Sequence, residues 1–264
     1  MREPEVRATN LRFVGRTSSF SGKNLECAWI GEPSRRAIVM LHEGLGCVAA
    51  WRDLPARVAA RSGESVFLYS RFGYGRSDPV PLPRPLTYMH DEAAMLPEIC
   101  ALAGIHEPLL LGHSDGASIA IVAAGSGFRT RALLLLAPHV FCEDCSVAAI
   151  EKAKDAYEHG DLRARLAKYH ANVDVAFWGW NRAWLDPAFR AWNLEGFLPN
   201  IEVPVTVVQG EADPYGTLAQ VDAIERGVRG SFERVIIPGV GHALQREGVD
   251  STLEALAALA ARAR

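Results

Sequence analysis

Pro108-Leu109-Leu110-Leu111 runs into Gly112-His113-Ser114-Asp115-Gly116, which runs into Ala117-Ser118-Ile119-Ala120-Ile121-Val122-Ala123-Ala124. The first run has the length and apolarity of a buried strand and the last has the composition of a helix, so one element must turn sharply into the other. Such a turn has room only for small residues two positions either side of its apex, where any side chain would strike the neighbouring turn. Ser114 sits at that apex. Its hydroxyl is held outward at a helix N-terminus, where backbone N–H groups can stabilise an oxyanion forming beside it. A serine between glycines also describes an ordinary turn, so a nucleophile needs partners elsewhere in the chain.

Apolar runs of strand length alternate with helix-like segments from residue 37 onward, the pattern of an α/β fold with a mostly parallel sheet and helices on both faces. Strands are expected over 37–41, 65–69, 108–111, 132–137, 205–209 and 234–237, and helices over 50–61, 88–103, 115–124, 218–228 and 249–261. A leading hairpin is expected with strands over 6–14 and 25–30, joined through Ser18, Ser19, Ser21 and Gly22. In this arrangement the loops after the parallel strands gather at one edge of the sheet, where sites collect. Residues 141–199 interrupt the alternation and are expected to form a helical insertion on a core of 1–140 and 200–264. The insertion carries four of the six tryptophans, Trp178, Trp180, Trp184 and Trp192, alongside Phe177, Phe189 and Phe197. Those rings can hold a lid onto the sheet, line a substrate cavity, or both. The proline-rich stretch 79–85 is too poor in donors for a helix or central strand and is expected to be a surface connection.

With 264 residues, 49% of them hydrophobic and 22% charged, the chain can bury one α/β core plus the insertion. A net charge of −3, with no basic run interleaved with aromatics, argues against a nucleic-acid partner and for a small molecule. The first five residues lack the apolar core of a secretory signal, and no stretch reaches the roughly 18 apolar residues of a membrane span. A cytoplasmic location is therefore expected. Cys27, Cys47, Cys100, Cys142 and Cys145 form an odd, scattered set that suits reduced thiols. Cys142 and Cys145 have the spacing of a redox pair or half a zinc site, but nothing nearby completes four ligands, so neither metal nor cofactor is expected. No heptad or apolar stripe distinguishes a monomer from a homodimer.

A serine hydroxyl attacks when an imidazole takes its proton, and the imidazole needs a carboxylate to fix its tautomer and stabilise its charged form. Gly239-Val240-Gly241-His242 follows the last expected strand, and Glu211-Ala212-Asp213-Pro214 follows the strand over 205–209. Both loops fall at the edge that carries Ser114. Glu211 and Asp186 compete as the acid, but an aspartate on the loop directly after a strand fits better. With Ser114, Asp213 and His242 in this order, the chain resembles the α/β-hydrolase superfamily over nearly its whole length. Leu41-His42-Glu43-Gly44-Leu45-Gly46, Arg71-Phe72-Gly73-Tyr74-Gly75-Arg76-Ser77 and an insertion where that family carries its cap extend the resemblance. It implies an α/β-hydrolase fold and a catalytic triad of Ser114, Asp213 and His242. It also implies an oxyanion hole built from the backbone N–H groups of Gly44 and Asp115.

Glu43 departs from the family's pattern, in which glycine commonly follows the histidine. A carboxylate aimed inward would oppose an oxyanion, so Glu43 is expected to point away, toward Arg71 or Arg76, and to orient its loop. The Asp115 carboxylate is expected to cap its helix or contact substrate. Glu43, Trp178, Trp180 and Trp184 are the candidate pocket residues, and Arg182 and His170 could meet a substrate carboxylate. The expected reaction is hydrolysis of an ester-type acyl bond in a small apolar or aromatic substrate through an acyl-enzyme. Thioester, amide or carbon–carbon cleavage, or low-turnover ligand binding, are the alternatives the same scaffold allows.

Overall fold

Strands that are apolar on both faces can lie only in the middle of a sheet covered from both sides. In the computed structural model, which describes residues 6–12 and 21–263, this is the place of β3 (Ile38–Leu41), β4 (Val66–Tyr69), β5 (Leu109–His113), β6 (Ala132–Leu136) and β7 (Val205–Gly210), each buried throughout. With β1 (Val6–Arg12), β2 (Asn24–Ile30) and β8 (Phe232–Ile237) they form one sheet in the order β1-β2-β4-β3-β5-β6-β7-β8. The run from β4 to β8 is parallel, and β2 is antiparallel to both β1 and β4. Ser18, Ser19 and the first five residues, on which two expectations rested, lie outside the described residues.

Alternation along the strands divides the core in two. Val39, Leu41, Phe67, Leu110, Leu133 and Leu135 face α2 (Tyr88–Leu102), α3 (Asp115–Gly125), α7 (Leu218–Gly227) and the insertion. Ile38, Met40, Leu68, Leu109, Leu111 and Leu134 face α1 (Leu54–Ser62) and α9 (Val249–Arg262). Every residue of α3 is buried, so the helix that starts at the serine is enclosed by the fold. The helix expected over 50–61 is broken. A short 3-10 turn, Val48–Trp51, is followed by Arg52 at φ 53, a left-handed conformation that a helix cannot contain, and α1 begins only at Leu54 with Pro55 in its first turn.

Between β6 and β7 lie α4 (Asp144–Glu158), α5 (Leu162–Leu166), α6 (Val173–Trp184) and two further 3-10 turns. Their aromatic rings pack largely on one another. Tyr157 stacks on Phe177 with centroids 3.6 Å apart, Phe189 stacks on Trp192 at 5.1 Å, and Trp184 leans on Phe189 at 4.9 Å. Polar tethers join this segment to the core: the Trp184 indole donates to the Tyr88 hydroxyl at 3.0 Å, and His170 Nε2 contacts the Leu45 carbonyl at 3.0 Å. The stretch 79–85 runs over the surface, except that Val80 is buried in the core and Arg84 turns inward, pairs with buried Glu92 at 2.6 Å and lies over the Tyr74 and Tyr88 rings.

Candidate active site

Ser114 links β5 directly to α3 at φ 52 and ψ −119, a conformation that costs a non-glycine residue about 1–3 kcal/mol. Tight packing holds it there. A Cβ on Gly112 would run into the backbone of Gly116 and Ala117, and one on Gly116 would run into the Leu41 carbonyl. The Ser114 N–H donates to the Leu136 carbonyl at 2.8 Å, stitching the turn to the end of β6. The Asp115 N–H, first in the helix, and the Gly44 N–H donate to no group among the described residues. Both residues line one cavity of about 220 Å³ with Ser114, His242, Trp180 and Trp184.

His242 lies on the loop after β8 and meets Asp213, on the loop after β7, through Nδ1 and Oδ2 at 2.7 Å. Asp213 is further held by the Tyr215 N–H at 2.8 Å and by Gln209 Nε2 at 2.9 Å. Burial by itself would raise the Asp213 pKa, but the hydrogen bond and charge of His242 outweigh it and hold the carboxyl below its usual range. An ionised Asp213 keeps the proton on Nδ1, which leaves Nε2 free to accept one. The Ser114 hydroxyl shares the cavity without a hydrogen bond to Nε2 among the described residues, a contact that in such sites tightens when substrate binds. Glu211 accepts from the Gly239 N–H at 3.2 Å and Asp186 from the Ala188 N–H at 2.8 Å, so both competing carboxylates are engaged elsewhere.

The loop after β3 is held from below. His42 Nε2 accepts the Arg71 N–H at 3.0 Å while Nδ1 contacts the Glu43 carbonyl at 2.7 Å, a pairing that needs the neutral ring. Burial first, and then the Arg71 charge, push the His42 pKa well down. The Arg71 guanidinium reaches the Glu43 carbonyl oxygen at 2.9 Å, not the Glu43 carboxylate as expected. That carboxylate instead lines the cavity and stands 3.6 Å from His113 Nδ1, while the fully buried Arg71 turns to the Glu43 carbonyl and toward Asp115. Burial would raise the Glu43 pKa, yet the neighbouring imidazoles bring it down to about 2. His113 in turn contacts the His242 carbonyl through Nε2 at 2.9 Å and so braces the histidine loop.

The Asp115 carboxylate does not cap α3. Its Oδ2 accepts from the Tyr88 hydroxyl at 2.6 Å and lies 3.6 Å from Arg71. A polar path therefore runs from Trp184 through Tyr88, Asp115 and Arg71 to the loop of Gly44. Among the candidate pocket residues, Glu43, Trp180 and Trp184 line the cavity. Trp178 does not: it packs on Tyr157 and Phe177 beneath the exposed Arg182, drawn outward by that aromatic stack and cation. His170 is buried between Gly75 and Leu45, its ring nitrogens occupied by backbone, and neither it nor Arg182 lines the cavity.

His139 was missed in the sequence. It follows β6 at the same edge, lines the cavity, and has its pKa lowered to about 3 chiefly by burial, with the His242 charge adding to the effect. Its position just beyond a strand end was the available signal. No group of three or more residues suited to holding a metal occurs among the described residues. Cys142 and Cys145 are free, and burial pushes both thiols up, away from the thiolate that redox exchange requires. A larger cleft of about 900 Å³ between α2 and the end of α3 contains none of Ser114, Asp213 or His242.

No curated protein matches the sequence. Among solved structures, the haloalkane dehalogenase DbeA from Bradyrhizobium elkani superposes with a TM-score of 0.78 at 15% identity, over 98% of this chain and 99% of that one. A hydrolase from Pseudomonas aeruginosa gives 0.72 at 18% identity over 96% and 97%, and an esterase from Exiguobacterium antarcticum 0.68 at 18% over 91% and 96%. At such identities the likeness is one of fold. The family model described as "Alpha/beta hydrolase family" matches residues 38–259, from β3 through most of α9. With the fold shared and the family match spanning most of its length, the chain belongs to the alpha/beta hydrolase family.

Proposed function

We propose that the protein is a serine hydrolase that cleaves an ester-type acyl bond of a small, apolar or aromatic substrate. The observation that carries this is the 2.7 Å contact of Asp213 with His242, which lines one cavity with the strained Ser114. His242 takes the Ser114 proton as Oγ attacks the carbonyl carbon, and the carbonyl electrons move onto oxygen, where the N–H groups of Gly44 and Asp115 receive them. The protonated His242 then gives its proton to the departing alcohol. Water, deprotonated by the same imidazole, releases the acid and restores Ser114.

In this reading residues 141–199 act as a cap, and Trp180 and Trp184 select the substrate. A cavity of about 220 Å³ lies below the ~300–1,000 Å³ of drug-sized sites and favours short acyl groups. The free thiols suit a reducing compartment, and a cytoplasmic location is part of the proposal. The test is hydrolysis of p-nitrophenyl acetate and butyrate by wild type and Ser114→Ala, with matched thioesters to rank the leaving group. Loss of turnover in the variant is expected; equal rates in the two proteins would sink the assignment.

A further inference from the structure

Two tryptophans of α6 line the catalytic cavity, and their indole N–H groups are placed differently. That of Trp184 is spent on the Tyr88 hydroxyl at 3.0 Å. That of Trp180 has no acceptor among the described residues, although the residue is only 6% exposed. The edge of the ring that carries it lies directly against Gly44: a Cβ there would overlap Trp180 Nε1 and Cδ1. Gly44 is thus the residue of its loop against which the N–H edge of the Trp180 indole is set. A donor that opens onto the cavity with no protein partner is free to meet an acceptor that a ligand brings.

Building on the serine-hydrolase reading, we propose that Trp180 is a further catalytic residue, its indole N–H donating to the substrate's acyl oxygen beside the Gly44 N–H. As Ser114 Oγ bonds to the carbonyl carbon, the π electrons move to that oxygen, and the indole hydrogen bond strengthens with the growing charge. No proton is transferred to or from Trp180. The oxyanion hole then has two parts. Backbone donors from Gly44 and Asp115 are built into the sheet edge, and a side-chain donor comes from the cap. The absence of a side chain at Gly44 is what lets that donor approach.

The test replaces the N–H and keeps the ring. Trp180→Phe, or incorporation of 3-benzothienylalanine at position 180, which puts sulfur in place of N–H at nearly the same shape, is compared with wild type on p-nitrophenyl butyrate. The expected result is a fall in kcat of about 10- to 100-fold, at or below the lower end of what loss of one oxyanion donor costs, with KM little changed. Affinity for a trifluoromethyl ketone, which forms a hemiketal oxyanion on Ser114, should fall by a similar factor. Trp178→Phe, outside the cavity, should leave both unchanged. If the benzothienyl protein keeps wild-type kcat and inhibitor affinity, or shows a change in KM alone, Trp180 is a packing residue and the proposal is overturned. Failure of the underlying reading looks different: wild type itself would show no Ser114-dependent turnover and form no hemiketal, which overturns both.

Discussion

The sheet edge and the segment inserted between β6 and β7, the proposed cap, hold their residues by different means. At the edge, Ser114, Asp213 and His242 stand on the first turns after β5, β7 and β8, and their places follow from strand ends, glycine contacts and one strained φ. In the cap, Trp180 and Trp184 are placed by side chains packing on side chains, through Phe177, Phe189 and Trp192, and by the tether to Tyr88. Backbone-determined positions are rigid and local. Positions set by packing depend on segments far apart in sequence. On the proposed reading, the edge carries the nucleophile, acid and base, and the inserted segment carries substrate choice and one further donor, that of Trp180.

The strongest way to break this division is at Ser114. Ser114→Gly should lower kcat by about three to six orders of magnitude and at the same time raise stability by about 1 kcal/mol, since glycine relieves the strain at φ 52. Ester turnover and urea unfolding, measured on one preparation, check both signs; an unchanged or lower unfolding midpoint would remove the strain argument. Next, Asp213→Asn should keep the geometry yet release the tautomer of His242, reducing kcat by about 10²- to 10⁴-fold with KM preserved.

A smaller effect is expected where the two regions meet. Tyr88→Phe removes the hydroxyl that accepts from Trp184 and donates to Asp115, leaving both groups short of a partner inside the protein. The expected cost is about 1–3 kcal/mol by denaturant unfolding, with KM raised more than kcat is lowered, because the cap loosens while the triad stays. A larger fall in kcat than rise in KM would show that the Tyr88 tether bears on the chemistry as well.

The mildest test is of pH. His139 has its pKa lowered to about 3, so below the ordinary histidine value of about 6.5 the unfolded chain binds a proton that the folded protein refuses. Stability from this group is therefore complete above about pH 6.5 and declines as pH falls toward 3, by about 1.4 kcal/mol per pH unit inside that window. His139→Phe should flatten this slope in urea titrations between pH 7 and pH 4.5. It should not abolish it, because buried His42 is shifted in the same direction.

Much of the edge was legible in the sequence because each part is local. Leu109 to Leu111 are too apolar for anything but a central strand, and Gly112 and Gly116 leave a helix no choice but to begin at the serine. Glu43 was misread because its natural cation, Arg71, is 28 residues away and is claimed by a carbonyl oxygen and by Asp115, partners that only the folded chain brings together. Trp178 and Trp180 are two residues apart on α6, and nothing in that spacing says which ring turns to the cavity and which to Arg182. His139, Arg84 and Tyr88 carried no motif at all.

The amino-acid sequence alone determined the strand-to-helix turn at Ser114, the order of the acid and the histidine after it, and the parallel sheet that puts them on one edge. Continuous apolar runs and the steric demand for glycine act over a few residues and need no knowledge of the rest. Only the tertiary structure decided that Glu43 faces the cavity, that Asp115 is tied to Tyr88, and that one tryptophan has its N–H engaged while another keeps it open beside Gly44. Those outcomes depend on which distant donors and acceptors meet inside the fold, where every buried polar group competes for the same few partners.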